Sequence, residues 1–162
     1  MKDSPRGRLV LAALDAFGAR GYEGVAVAEL ARAAETTTGP LYHHFGSKLG
    51  LYEVVRTDVE RRVTDRMEGA LAAAAGPAAV GAALVVAFDY AERAGFLRLL
   101  GEPHPERADD PVAALLDRHL EAAPLGAMLA AAWRAALTAC AEGADPTATR
   151  HALRALTPTG AP

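Results

Sequence analysis

Residues 26–51 read AVAELARAAETTTGPLYHHFGSKLGL, and the organisation of the whole chain follows from how this stretch divides. Val27, Leu30, Ala31 and Ala34 recur at the spacing of one helical face, which predicts a short helix. Glu35-Thr36-Thr37-Thr38-Gly39-Pro40 is too polar and too rich in Gly and Pro to continue it, so the chain turns there. Thr37 is a natural N-cap, and Pro40 falls in the first turn of the next helix, where backbone N–H groups have no intrahelical partner to lose. That helix carries Leu41-Tyr42-His43-His44-Phe45 until Gly46 stops it and Ser47 caps a fourth. Two short helices joined by a tight turn form a helix-turn-helix unit.

The helical pattern extends both ways. Upstream, Leu9, Ala13, Leu14 and Phe17 share a face over residues 6–20, closed by Gly18 and Gly21. Downstream, Leu51, Val55, Val59, Val63, Met67 and Leu71 recur every fourth position along one long helix, with Arg61, Arg62, Asp65 and Glu68 elsewhere around it. Gly76-Pro77 ends that helix, residues 78–94 form a fifth around Val80, Leu84, Val85 and Phe88, and a short apolar piece covers 96–100. Residues 101–111, with Pro103, Pro105 and Pro111, read as a loop, and the remainder splits at Pro124 and at 143–146 into three further helices. The expected fold is all-α with about nine helices. A helix-turn-helix head spans 1–50, an antiparallel helical body 51–157 and a disordered tail 158–162.

Composition agrees and excludes several classes. A length of 162 residues suits a small head sharing a core with a larger body. Hydrophobic residues at 51% and charged residues at 23% describe a globular chain, and alanine, about a quarter of it, favours helix. No apolar stretch approaches the roughly 18 residues that cross a bilayer and no signal segment opens the chain, so a cytoplasmic protein without a membrane partner is expected. Cys140 is the lone cysteine, which rules out an intramolecular disulfide or a cysteine metal site. Adjacent His43 and His44 point about 100° apart on a helix and do not share an ion. His104, Asp109 and Asp110 read as a solvated loop, so neither metal nor cofactor is expected. Absence of a nucleophile elbow, Walker loop or dinucleotide fingerprint argues against an enzyme. Net charge is −3, yet residues 1–56 carry seven Lys+Arg against six Asp+Glu while the rest carries ten against fourteen. That asymmetry has the sign of a DNA-facing head on an acidic body.

A recognition helix enters the major groove with its N-terminal residues at the base edges. Thr37, Thr38 and His43 are placed to reach bases or phosphates, Gly39 lets the backbone approach, and Pro40 offers an apolar contact to a thymine methyl. Tyr42, His44 and Lys48 are placed to hold the phosphate backbone. At these residues the chain resembles the TetR family of bacterial regulators. The match rests on Phe17, Gly21, Tyr22, Leu30, Ala31, Ala34, then Thr37-x-Gly39-x-Leu41-Tyr42-x-His44-Phe45 and Ser47-Lys48-x-x-Leu51, over about residues 8–56. The resemblance implies an all-helical homodimer on double-stranded operator DNA, a repressor released by a small molecule held in the body. It places DNA contacts on Thr37, Thr38, Gly39, Tyr42, His43, His44 and Lys48. Four residues depart from the family pattern: Ala26 replaces a capping Ser or Thr, Glu35 a turn glycine, Thr36 an apolar residue and Pro40 a small helix former.

In the body, Met67, Phe88, Tyr90, Phe96, His119, Met128 and Trp133 are the large groups able to line a pocket for an apolar effector. Residues 125–142 are the expected dimer helix, with Ala127, Ala130, Ala131, Trp133 and Leu137 at the interface. The competing function is a DNA-binding dimer with no ligand, since the body is short.

Overall fold

Three helices begin with a short polar residue followed by proline: Ser4-Pro5, Asp110-Pro111 and Asp145-Pro146. In each, the polar side chain accepts a backbone N–H of the first turn, and proline, which lacks an N–H, takes the first helical position. Pro111 and Pro146, read from sequence as loop residues, are therefore helix starts. The computed structural model describes residues 4–76, 78–121 and 123–156, and the expected tail at 158–162 lies outside them.

Among the described residues there are nine helices: α1 (Pro5–Arg20), α2 (Val27–Ala33), α3 (Thr38–Phe45), α4 (Lys48–Ala73), α5 (Ala78–Arg93), α6 (Leu97–Gly101), α7 (Pro111–Leu120), α8 (Leu125–Ala141) and α9 (Pro146–Ala155). The all-α expectation is borne out. Helices α1 to α3 pack on one another, and α1 and α3 also pack on α4, which in turn packs against α5 and α7. Helix α8 lies against α6 and α7, and α9 against α5. The stripe Leu51, Val55, Val59, Val63, Met67 and Leu71 is buried along its whole length, so one core runs from head to body along α4. At about 1.5–3 kcal/mol per large apolar side chain, that shared stripe ties head to body. No described helix is long and apolar enough to cross a membrane.

Arg56 and Glu60 lie one step round α4 from the stripe and are also buried, at 1% and 2% exposure. Arg56 Nε donates to Glu60 Oε1 at 2.7 Å, and Arg56 Nη1 donates to the Tyr52 hydroxyl at 2.7 Å and to the Leu99 and Glu102 carbonyls. Arg107 binds the second Glu60 oxygen, and Arg134 comes within 3.7 Å of the first. The 102–110 segment is thus pinned over α4 and is not the solvated loop expected. His104 illustrates this: its side chain is 3% exposed, its Nδ1 accepts the Arg107 N–H at 2.8 Å, and its Nε2 lies 2.9 Å from Glu53 Oε1.

Asp110 closes the network, capping α7 while binding Arg134 through both oxygens at 2.6 and 2.8 Å. Burial alone would raise its carboxyl pKa, but the Arg134 guanidinium and the Val112 and Ala113 N–H groups outweigh it and hold the group below the ordinary carboxylate range. A carboxyl depressed by folding stabilises above its unfolded pKa, and the contribution is lost as pH falls through the folded value. Asp110→Asn is expected to lower stability by about 2–3 kcal/mol at neutral pH, with the gap to the parent narrowing in acid. Urea titrations at pH 7 and in the acid range check both parts.

Candidate DNA-binding surface

The turn between α2 and α3 is built from a Schellman closure. Thr36 N–H donates to the Ala31 carbonyl at 2.9 Å and Glu35 N–H to the Arg32 carbonyl at 3.0 Å. This closure requires a left-handed residue, and Glu35 supplies it with φ of 51°. Glycine adopts that conformation freely, whereas a residue with a side chain is strained by roughly 1–2 kcal/mol. Thr37 follows as an extended N-cap with φ −94° and ψ 175°, as expected, but its side chain makes no capping bond. At the start of α2, Ala26 has no capping side chain. Glu29 partly compensates, its Oε2 accepting the Ala26 N–H at 3.1 Å and binding Arg20 at 3.0 Å. Those two contacts, the backbone bond first, hold the Glu29 carboxyl below the usual range.

Helix α3 has two unlike faces. Leu41 is fully buried, and Phe45 is half-buried with the Arg6 guanidinium 5.4 Å from its ring centre. On the other side Thr37, Thr38, Gly39, Tyr42, His43 and His44 are all exposed, Tyr42 at 53%, and Pro40 is half-buried beside them. Seven of the eight candidate DNA contacts thus fall on or just before one short, well-anchored helix. Its hydroxyl, phenol and imidazole groups can donate to phosphates and exchange hydrogen bonds with base edges.

Lys48 stands apart, half-buried at the start of α4. Its Nζ donates to the Tyr22 carbonyl at 2.9 Å and the Val25 carbonyl at 3.1 Å, above the Tyr22 ring at 4.0 Å. An ammonium has three donors. Two brace the α1–α2 connection against α4, a role not legible in the sequence, and the third is not used by either bond.

The expected effector residues do not come together. Met67, Phe88, Phe96 and Trp133 are closed into the core, and Tyr90 is half-buried under the Arg66 guanidinium, 3.9 Å from its ring centre. Met128 is exposed, and His119 lines a surface groove with Leu71, Leu115 and Arg118. Trp133 Nε1 is buried without an acceptor among the described residues. The expected interface is divided as well. Ala130, Trp133 and Leu137 point into the protomer's own core with Gly126 and Leu129, so α8 buries them against α6 and α7. Ala127 and Ala131 are exposed, and Met128, Ala135 and Ala139 share their side of the helix.

Over residues 9–55 the chain matches the family model described as bacterial regulatory proteins, tetR family. A stretch of 68 residues is 38% identical to the HTH-type transcriptional activator FasR of Mycolicibacterium smegmatis, taking up 42% of this chain and 30% of that protein. The fold likeness covers more. The fatty acid degradation regulator FadR from Bacillus halodurans matches with a TM-score of 0.70 at 14% identity, over 94% of this chain and 93% of that one. The TetR-family transcriptional regulator PfmR from Thermus thermophilus matches with a TM-score of 0.61 at 24% identity, over 93% of this chain and 91% of that one.

Proposed function

We propose that this chain, which belongs to the TetR family of bacterial DNA-binding transcriptional regulators, acts as a homodimeric repressor that a small apolar molecule releases from a palindromic operator. The observation that carries the reading is the exposed polar face of α3, braced from behind by Leu41 and Phe45. Thr37, Thr38, Gly39, Pro40, Tyr42, His43 and His44 are its DNA contacts, with Lys48 giving its remaining donor to a phosphate. The dimer seam is the outer side of α8, where Ala127, Met128, Ala131, Ala135 and Ala139 let a partner helix approach closely. Two-fold symmetry then requires half-sites about one duplex turn apart.

An apolar effector would part α4, α5 and α8, whose Met67, Phe88 and Trp133 are buried in the core. Its affinity for the opened body sets how far the DNA-bound population falls. Heating the protein with a library of apolar compounds tests this: a selective rise in melting temperature supports the pocket. No rise with any compound supports the second reading, a ligand-independent DNA-binding dimer, which the closed core favours. The name of FasR sets activation against repression. Transcription from a promoter carrying the selected operator decides the sign.

Lys48→Ala is expected to weaken binding to all duplexes alike and to reduce the salt slope by about one unit. It also frees the Tyr22 and Val25 carbonyls, so the melting temperature falls slightly. Fluorescence anisotropy across a salt series checks it, and an unchanged slope would remove Lys48 from the phosphate contacts.

A further inference from the structure

Helix α6 is only five residues long, yet both of its ends bear on the last turn of α1. At the near end, Gly18 of α1 abuts the Gly95 carbonyl so closely that a Cβ at Gly18 would overlap it. At the far end stands Glu102, the C-cap of α6, which touches three elements at once. Its backbone N–H donates to the Arg98 carbonyl at 3.0 Å, closing α6. Its carbonyl accepts from Arg56 Nη1 of α4 at 3.0 Å. Its carboxylate fills the space where Gly21 lacks a side chain, and accepts the Tyr22 N–H at 3.4 Å. Gly21 has φ of +72°, so this corner is closed to larger residues by its backbone conformation.

The other side of α6 is locked to α8. Arg134 donates to the Leu100 carbonyl, Arg98 Nη2 to the Ala141 carbonyl at 3.4 Å, and a Cβ at Gly101 would lie 2.7 Å from Thr138 Oγ1. Small residues and backbone contacts leave little room for sliding, so displacement of α8 reaches α1 through α6.

We propose that Glu102 is a positioning residue for DNA recognition: its carboxylate fixes the angle at which the head leaves the body, and so the spacing of the two recognition helices. This rests on the reading of the chain as a two-headed DNA-binding dimer. The head contacts DNA and Glu102 does not, so its effect appears in spacing and not in base preference.

The test has two arms. In the first, hydrogen exchange is followed in the full chain: Glu102→Ala is expected to speed exchange of the Tyr22 amide about tenfold while amides of α3 and α8 keep their rates. Unchanged exchange at Tyr22 overturns the proposal whatever the DNA result. In the second, duplexes are selected from a random-sequence library with the parent protein, and binding is measured to the selected site, to versions with the half-site spacing altered by about two base pairs, and to a single half-site. Glu102→Ala is expected to lose most of the spacing discrimination and keep half-site affinity, and Glu102→Gln, which retains an acceptor oxygen, to restore it. Retained discrimination, or a half-site affinity that falls by the same factor, overturns the positioning role. A parent protein that enriches no paired half-sites overturns the dimer reading itself, and the spacing role with it.

Discussion

Trp133→Arg is expected to abolish cooperative folding of the body and not to release folded monomers. Trp133 is the largest fully buried side chain of the protein, at 0% exposure, on the face of α8 that also buries Leu129, Ala130 and Leu137. Arginine there would lose the packing of the indole and place an unpaired guanidinium in an apolar core, next to the Arg134 charge. Substitutions of that kind cost more than about 4–5 kcal/mol, against a total stability of roughly 5–15 kcal/mol. Circular dichroism during thermal unfolding is expected to show no native transition. Met128→Arg is the contrasting case, since Met128 is 65% exposed on the outer side of the same helix. It is expected to fold normally and to shift light scattering toward the monomer. A folded, dimeric Trp133→Arg protein would contradict the orientation of α8.

Glu60→Ala is expected to cost about 3–5 kcal/mol, because removing one member of a buried ion pair leaves the other uncompensated. Arg56, at 1% exposure, would keep only the Tyr52 hydroxyl and the carbonyls of Leu99 and Glu102, while Arg107 and Arg134 would lose a shared counter-charge. Those bonds also hold the 102–110 segment and the end of α6 against α4, so the damage spreads beyond the pair. Urea unfolding is expected to show a lower midpoint with an unchanged slope if the loss lies in the native state. A loss under about 1 kcal/mol would mean that the network behaves as an exposed one.

The head was legible in the sequence because its determinants are local. The polar turn at 35–40 and the glycine stop at Gly46 bound α2 and α3 within a few residues, and the polar groups of α3 face outward, where no tertiary partner intervenes. Even the strain at Glu35 follows from the missing glycine. The body was legible in its elements and not in their orientation. Along α8 Leu129, Trp133 and Leu137 recur every fourth position opposite an alanine-rich side, and periodicity groups them without saying whether a helix of the same chain or of a partner covers them. Only packing on α6 and α7 decides which side is inner. Arg56 and Glu60 are masked in the sequence for a related reason: an i, i+4 pair of opposite charges on a long helix looks like a solvated salt bridge. The signal available was their position directly after Val55 and Val59, on the edge of the buried stripe. Lys48 shows a third limit, since its bonds to the Tyr22 and Val25 carbonyls join residues more than twenty positions apart.

The central claim is that the exposed face of α3 reads duplex DNA. The most direct test is selection of duplexes from a random-sequence library by the parent protein and by a variant with Tyr42, His43 and His44 replaced by alanine, a change confined to exposed side chains. The parent is expected to enrich a palindromic motif, and the variant to remain folded and enrich none. Failure of the parent to enrich any sequence, or recovery of the same motif by the variant, would contradict the account.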